Sequence, residues 1–227
     1  MPPGKSYESF RLVLQITDQA GAEVFRPQLP VLEWHNPGDH ETIMHPSVVF
    51  ITNRYSPAAE ILQPCSVLSL SGIVYFPLPG SASDIRLPDF SRMHNIPLYR
   101  NFSDLVHSAS SRPDFLAVYS LHKILTQAEI DYPRIAALNL HPARFPLYKG
   151  RNPWLDQFRD HVKVSGFTVH KITSDIDGGE IIAQKSFEID YTLPLETVIE
   201  KSVRDVGGPL LCRSIIHYQC RNRPSAD

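Results

Sequence analysis

The sequence predicts an α/β fold: a doubly wound, mostly parallel sheet preceded by an N-terminal β-hairpin. Three observations lead there. Short, wholly apolar runs such as 48–52 (VVFIT) and 135–140 (IAALNL) suit central strands covered on both faces. Short helical patterns lie between such runs, and this alternation implies parallel strands joined by right-handed crossovers. Ahead of them, 10–16 (FRLVLQI) and 23–29 (EVFRPQL) alternate around DQAGA as a hairpin does, with Pro27 suited to an edge.

Taken in order, residues 30–46 carry Pro, Gly, His and Asp without periodicity and read as a linker. VVFIT is the first central strand. SPAAEILQ follows as a short helix, with Ser56 as N-cap and Pro57 at the first helical position. SVLSLSGIVYF (66–76) is a strand and PLPGSAS (77–83) a surface loop. IRLPDFSRMHN then IPLYR give a helix and a strand. FSDLVHSAS (102–110) is a helix with Ser103 as its cap, DFLAVYS (114–120) a strand, and TQAEIDYP (126–133) a helix ending near Pro133. IAALNL is the next strand. NPWLDQFRD (152–160) is helical, FTVHKIT (167–173) and AQKSFEI (183–189) are strands, and Gly178-Gly179 turns between them. A long helical pattern from Leu195 is interrupted near Gly207-Gly208-Pro209. The domain plan is therefore 1–46 hairpin and linker, 47–220 catalytic domain and 221–227 mobile tail.

Composition bounds the function. With 227 residues, 42% of them apolar, the chain can bury one sizeable core. A net charge of −2 and a pI near 6.5 argue against a nucleic-acid partner, which needs clustered Lys and Arg. No run approaches the ~18 apolar residues of a membrane span, and MPPGKSYESF lacks the apolar stretch of a secretory signal. A cytoplasmic protein is expected, with Cys65, Cys212 and Cys220 as reduced thiols. His35, His40 and His45 recur every five residues, which suits neither a helix face nor a strand face, so no metal site is expected. The 20 prolines, nearly twice the usual ~5%, are common before residue 100 and make that half loop-rich.

In open α/β sheets ligands bind beyond the carboxyl ends of the strands. Asn139 and His141 sit at such an end, in LNLHPARFPLYKGRNPW, and Asp177 sits at a later turn. Together they form a sufficient set for acyl transfer to an amine without a covalent enzyme intermediate. An amide N–H and an imidazole stabilise charge on the carbonyl oxygen. A carboxylate holds the imidazolium and orders a proton-relaying water. Spacing alone leaves a second reading open: N-x-H-P is an ordinary strand end, and an Asp before Gly-Gly is an ordinary turn residue.

The whole block, with SGFTVHKITSDIDGGEIIAQKSFEI, resembles the formyltransferase family that uses 10-formyltetrahydrofolate. The likeness lies in Asn139/His141/Pro142, the Pro146–Gly150 loop, Gly166/Thr168/His170 and Asp177/Gly179, within about residues 91–190. The resemblance implies a Rossmann-like fold, with Asn139 and His141 polarising the formyl oxygen and Asp177 pairing with His141 or its relay water. It places the folate against His122, Lys123, Ile124 and Leu125 on one side and Thr173, Ser174, Asp175 and Ile176 on the other. Main-chain groups after Leu121 would read the pterin edge. His170 is left to a structural role. Lys149, Arg151 and Arg54 are substrate-binding candidates for an anionic acceptor; the two loop cations fit solvated positions as well.

The N-terminal half departs from the family. Asn53-Arg54-Tyr55-Ser56-Pro57 has no glycine where glycinamide ribonucleotide formyltransferases resemble G-x-G-S-N, which argues against purine synthesis. The slight acidity argues against a tRNA acceptor. A small amine remains, first a nucleotide-linked amino sugar. The alternatives are formylation of an amino acid or peptide amine, 10-formyltetrahydrofolate hydrolysis, and a non-catalytic folate-binding protein. The hairpin's edge seeks a partner, so a homodimer is expected.

Overall fold

The computed structural model describes residues 45–77 and 85–222. The hairpin over 10–16 and 23–29, nearly all of the linker, most of the 77–83 loop and the end of the chain lie outside them, and with the hairpin goes the basis of the dimer expectation.

A seven-stranded sheet runs in the order β3-β2-β1-β4-β5-β6-β7. The strands are β1 (Ser47–Thr52), β2 (Ser69–Tyr75), β3 (Leu98–Tyr99), β4 (Phe115–Val118), β5 (Ala136–His141), β6 (Val164–Lys171) and β7 (Ile181–Glu188). The first five are parallel. β6 and β7 turn back antiparallel, β5 pairing β6 and β6 pairing β7. The expected doubly wound, mostly parallel sheet is present, with every anticipated strand of the described residues in place.

Burial on both faces explains the apolar runs. Val48 and Phe50 of β1 enter one core cluster, Val49 and Ile51 the other, because alternate residues point to opposite faces. The first cluster lies under α1 (Pro57–Leu62) and the C-terminal helices; the second receives Phe102 and Leu105 of α3 (Phe102–Ser108). The other helices are α2 (Arg86–Met93), α4 (Gln127–Ile130), α5 (Pro153–Arg159), α6 (Leu195–Ser202) and α7 (Gly208–Arg221).

Local chemistry sets the ends. Ser56 caps α1 as expected, its hydroxyl accepting Ala58 N–H. For α3 the cap is Asn101 and not Ser103: its extended backbone lets Oδ1 accept Asp104 N–H at 2.9 Å, leaving Ser103 inside the first turn. α4 is one turn, held by the Thr126/Glu129 capping box. The interruption near Gly207 is no break. A π-helical segment, Val203–Gly207, joins α6 to α7. Pro209 cannot donate to the carbonyl four residues back, and the widened turn carries the chain past it. The glycines are there for packing: a Cβ on Gly207 would come 3.0 Å from Phe167 Cζ, and one on Gly208 2.5 Å from Ile61 Cδ1. α7 reaches Arg221, one residue into the expected tail.

The strand order reverses at β1, whose neighbours are β2 and β4. There the side chain of buried Asn53 donates to Phe76 O and accepts the N–H of His122, tying the loops after β1, β2 and β4 together. Among the described residues no helix is long and apolar enough to cross a membrane.

Candidate functional site

β5 carries Asn139 and His141 two residues apart, so both side chains leave the same face of the sheet. The antiparallel register sets His170 opposite Asn139 and Thr168 opposite His141, adding both to that face. Thr168 Oγ1, fully buried, lies 2.7 Å from Ala143 O and accepts Phe145 N–H at 3.2 Å, which fixes the chain just after β5. That loop contains a cis Phe145–Pro146 peptide.

Non-glycine residues with positive φ lie in the loops beyond three of the strands: Ser120 (54°) after β4, Tyr148 (50°) after β5, and Asp177 (50°) after β6. Such backbone costs free energy and survives where surrounding contacts hold it. At Asp177 the hold is visible: Oδ2 accepts Gly150 N–H at 2.9 Å. The turn beyond it leaves no room for a side chain, since a Cβ on Gly179 would lie 1.8 Å from Lys171 O. Gly179→Ala therefore displaces the turn and Asp177 with it; an activity that depends on Asp177 is expected to fall about 10²-fold in the variant, the cost of a ~1 Å misplacement.

His141 Nε2 donates to Tyr148 O at 2.9 Å, because a carbonyl can only accept. Nδ1 then faces Asp177 Oδ2 at 3.7 Å, too long for a direct hydrogen bond and close enough to stabilise a proton arriving on the ring. Asp177 Oδ1 is 3.5 Å from His170 Nε2. His170 Nδ1 donates to Lys171 O at 3.0 Å, and Nε2 accepts an amide N–H of Asn139 at 3.1 Å. Asn139 keeps a second N–H. The structure thus brings together Asn139, His141 and Asp177, and adds His170, which sequence reasoning had set aside as structural. His170 lies 31 residues from Asn139, and the G-x-T-x-H spacing was its signal.

Burial dominates the electrostatics of His141 and holds its pKa below the usual 6.5, against the opposing pull of Tyr148 O and the Asp177 carboxylate. For Asp177 burial is again the largest influence and pushes upward, but His170 and His141, when their rings carry the extra proton, and the Gly150 N–H hold the carboxyl below its usual value. A histidine with a depressed folded pKa binds fewer protons than it does unfolded, so the fold loses stability as pH falls below about 6.5. Thermal melts of His141→Gln should accordingly lose less between pH 6.5 and 5 than those of the unsubstituted protein; a steeper loss would mean that the ring is held as an imidazolium.

The folate candidates divide. His122 is exposed and its main-chain N–H is already bonded to Asn53. Lys123 pairs with Glu129 and lies 5.2 Å from the Phe76 ring centre. Leu125 is in the second core cluster, whereas Ile124 is 67% exposed. Across the way Thr173 is half-buried, Ser174 and Asp175 are exposed, and Ile176 is 68% exposed. Of the cations, Arg151 and Lys149 are exposed on the loop, Lys149 Nζ sitting 4.7 Å from the Phe145 ring centre. Arg54 is ion-paired with Glu196 of α6. Among the described residues no group of three or more His, Cys, Asp or Glu is placed to hold a metal.

Comparison with known proteins identifies a family and a fold. A family model described as formyl transferase matches residues 101–215, half of the chain. A methionyl-tRNA formyltransferase of Thermotoga maritima is 32% identical over 104 residues, 45% of this chain and 32% of that protein. One from Borrelia turicatae is 28% identical over 152 residues, 62% of this chain and 49% of that protein. The chain thus spans half or less of the length of these curated relatives. In three dimensions, a phosphoribosylglycinamide formyltransferase from Anaplasma phagocytophilum superposes with a TM-score of 0.64 at 16% identity, covering 81% of this chain and 91% of that one. A formyltetrahydrofolate deformylase from Pseudomonas syringae pv. tomato gives 0.63 at 19% identity, covering 81% and 64%. These two likenesses are of fold.

Proposed function

Because the chain belongs to the formyl transferase family, we propose that it moves a formyl group from 10-formyltetrahydrofolate to an amine, with no covalent enzyme intermediate. The observation that carries the reading is the convergence of Asn139, His141 and Asp177 beyond the carboxyl end of β5, with Nδ1 of His141 3.7 Å from the Asp177 carboxylate.

In this reading Asn139 spends one amide N–H on His170 and offers the other to the formyl oxygen as negative charge collects there. His141, neutral because burial keeps its pKa low, accepts the proton shed by the attacking amine at Nδ1. Asp177 stabilises the imidazolium so formed. Tyr148 O and Lys171 O hold the outer N–H of His141 and of His170, fixing both rings. His141 therefore serves first as the base; its Nε2–H is engaged by Tyr148 O and reaches the formyl oxygen only when that bond opens.

For the folate itself, Ile124 and Ile176 support a fit. Each is about two-thirds exposed on the two segments assigned to the pterin, and a large apolar side chain so placed gains nothing from the core. We assign Lys123, Thr173, Ser174 and Asp175 to the same walls. The His122 N–H, held by Asn53, shapes the wall, and Leu125 supports it from the core.

The acceptor we assign is a small amine, first a nucleotide-linked amino sugar, with exposed Lys149 and Arg151 meeting its phosphates and Arg54 reaching them on leaving Glu196. The names of the curated relatives support a second acceptor, the amine of methionyl-tRNA; the net charge of −2 weighs against it. One assay separates these. The full chain is given 10-formyltetrahydrofolate with nucleotide-linked amino sugars, with methionyl-tRNA, or with no amine, and both N-formyl product and free formate are measured. Product from an amino sugar is the expected result. Formate released equally fast without any amine would make the protein a hydrolase.

A further inference from the structure

The sulfurs of Cys65 and Cys212 lie 3.0 Å apart although 147 residues separate them along the chain. Both are free thiols and half-buried, and both pack against the first core cluster. Cys65 follows α1 and Cys212 is in α7, so the pair sits at the seam between these helices. That seam is tight: Ile61 of α1 fills the space over Gly208 at the start of α7, and Glu60 bonds Arg204 in the π segment at 2.5 Å. A disulfide needs its sulfurs about 2.05 Å apart, within about 1 Å of this contact. Cys220 is exposed on α7 and outside the pair.

We propose that Cys65 and Cys212 form a modification site, an intramolecular dithiol that a peroxide oxidises to a disulfide locking α1 to α7. Burial raises the pKa of the Cys212 thiol, which keeps its proton. Cys65 sulfur attacks an oxygen of hydrogen peroxide; the O–O bond breaks, the departing hydroxide takes up the Cys65 proton and leaves as water, and Cys65 becomes a sulfenic acid. Cys212 sulfur then attacks Cys65 sulfur, the S–O bond breaks, and the displaced hydroxyl leaves with the Cys212 proton as water. Two thiols and one peroxide yield one disulfide and two waters, with both sulfurs oxidised and both oxygens reduced.

The bond closes a long loop, which restricts the unfolded chain and raises stability. It spans helices of one layer and touches none of Asn139, His141, His170 or Asp177.

The test treats the full chain with hydrogen peroxide and compares it with Cys65→Ser, Cys212→Ser and Cys220→Ser. The original chain and Cys220→Ser should each lose two hydrogens in mass, show a peptide linking residues 65 and 212 in a non-reducing digest, and melt roughly 5–10 °C higher than when reduced. Cys65→Ser and Cys212→Ser should do none of these. Should either variant melt low from the outset, alkylation of the unsubstituted chain decides instead: oxidation must protect residues 65 and 212 and leave 220 open to iodoacetamide. Full alkylation at 65 and 212 after peroxide, a link through Cys220, or an unchanged melting temperature with the bond formed would overturn the proposal.

Discussion

His141→Asn and Asp177→Asn are each expected to lower formyl transfer by about 10²–10³-fold, with the variants still folded. His141 Nδ1 is the proton acceptor in the proposed mechanism and Asp177, 3.7 Å away, the group that makes its protonation favourable. Asn cannot take a proton as imidazole does. The Asp177→Asn amide can still accept Gly150 N–H through its oxygen, so the turn survives while the charge is lost. The two residues act as one device, so the double variant should be little slower than the worse single one. Single-turnover formylation of the best amine, followed beside thermal melts, tests this. Losses that simply multiply, or single variants that unfold, would show that the two side chains do not work on one reacting centre.

Phe167→Ala should cost about 3–5 kcal/mol of stability, read from the urea midpoint at unchanged slope. Phe167 is fully buried at the centre of β6. Its ring stacks on Phe187 with centroids 5.4 Å apart and meets Trp154 at 6.0 Å and Tyr119 at 6.5 Å, edge to face. Above it Gly207 of the π segment comes as close as a glycine can, with no side chain there to fall into the space. Truncation therefore leaves a cavity between sheet and helix. Because β6 also carries Thr168 and His170, part of the activity should go with it, recovering when the variant is stabilised by lower temperature. A cost under about 1 kcal/mol would mean that the C-terminal helices are not seated on the sheet as described.

Most of the fold was legible because its causes are local. VVFIT and IAALNL announced buried strands, Ser56-Pro57 announced a helix start, and the structure follows each. Misses came where two neighbouring residues compete for one job: Asn101 outranks Ser103 as cap because its extended backbone, just before the first helical residue, aims Oδ1 at the third helical N–H, while Ser103 is already helical. The break expected at Gly207-Gly208-Pro209 became a π turn because packing on Phe167 and Ile61 keeps the helix running. Of the candidate site, the three residues that converge in space, Asn139, His141 and Asp177, had been singled out from the motif. His170 was not assigned to it, because its contact with Asn139 follows from strand register.

The sequence by itself determined the strand and helix order, the exit of Asn139 and His141 from one face of β5, and a carboxylate poised at a glycine turn. These depend on periodicity and on neighbours a few residues away. Only the tertiary structure decided which nitrogen of His141 meets Asp177, that Tyr148 O holds the other, that Asn53 occupies the His122 N–H, and that Cys65 touches Cys212. Each of these joins groups through a loop conformation or a helix packing that no local pattern encodes, since burial and long-range register select them.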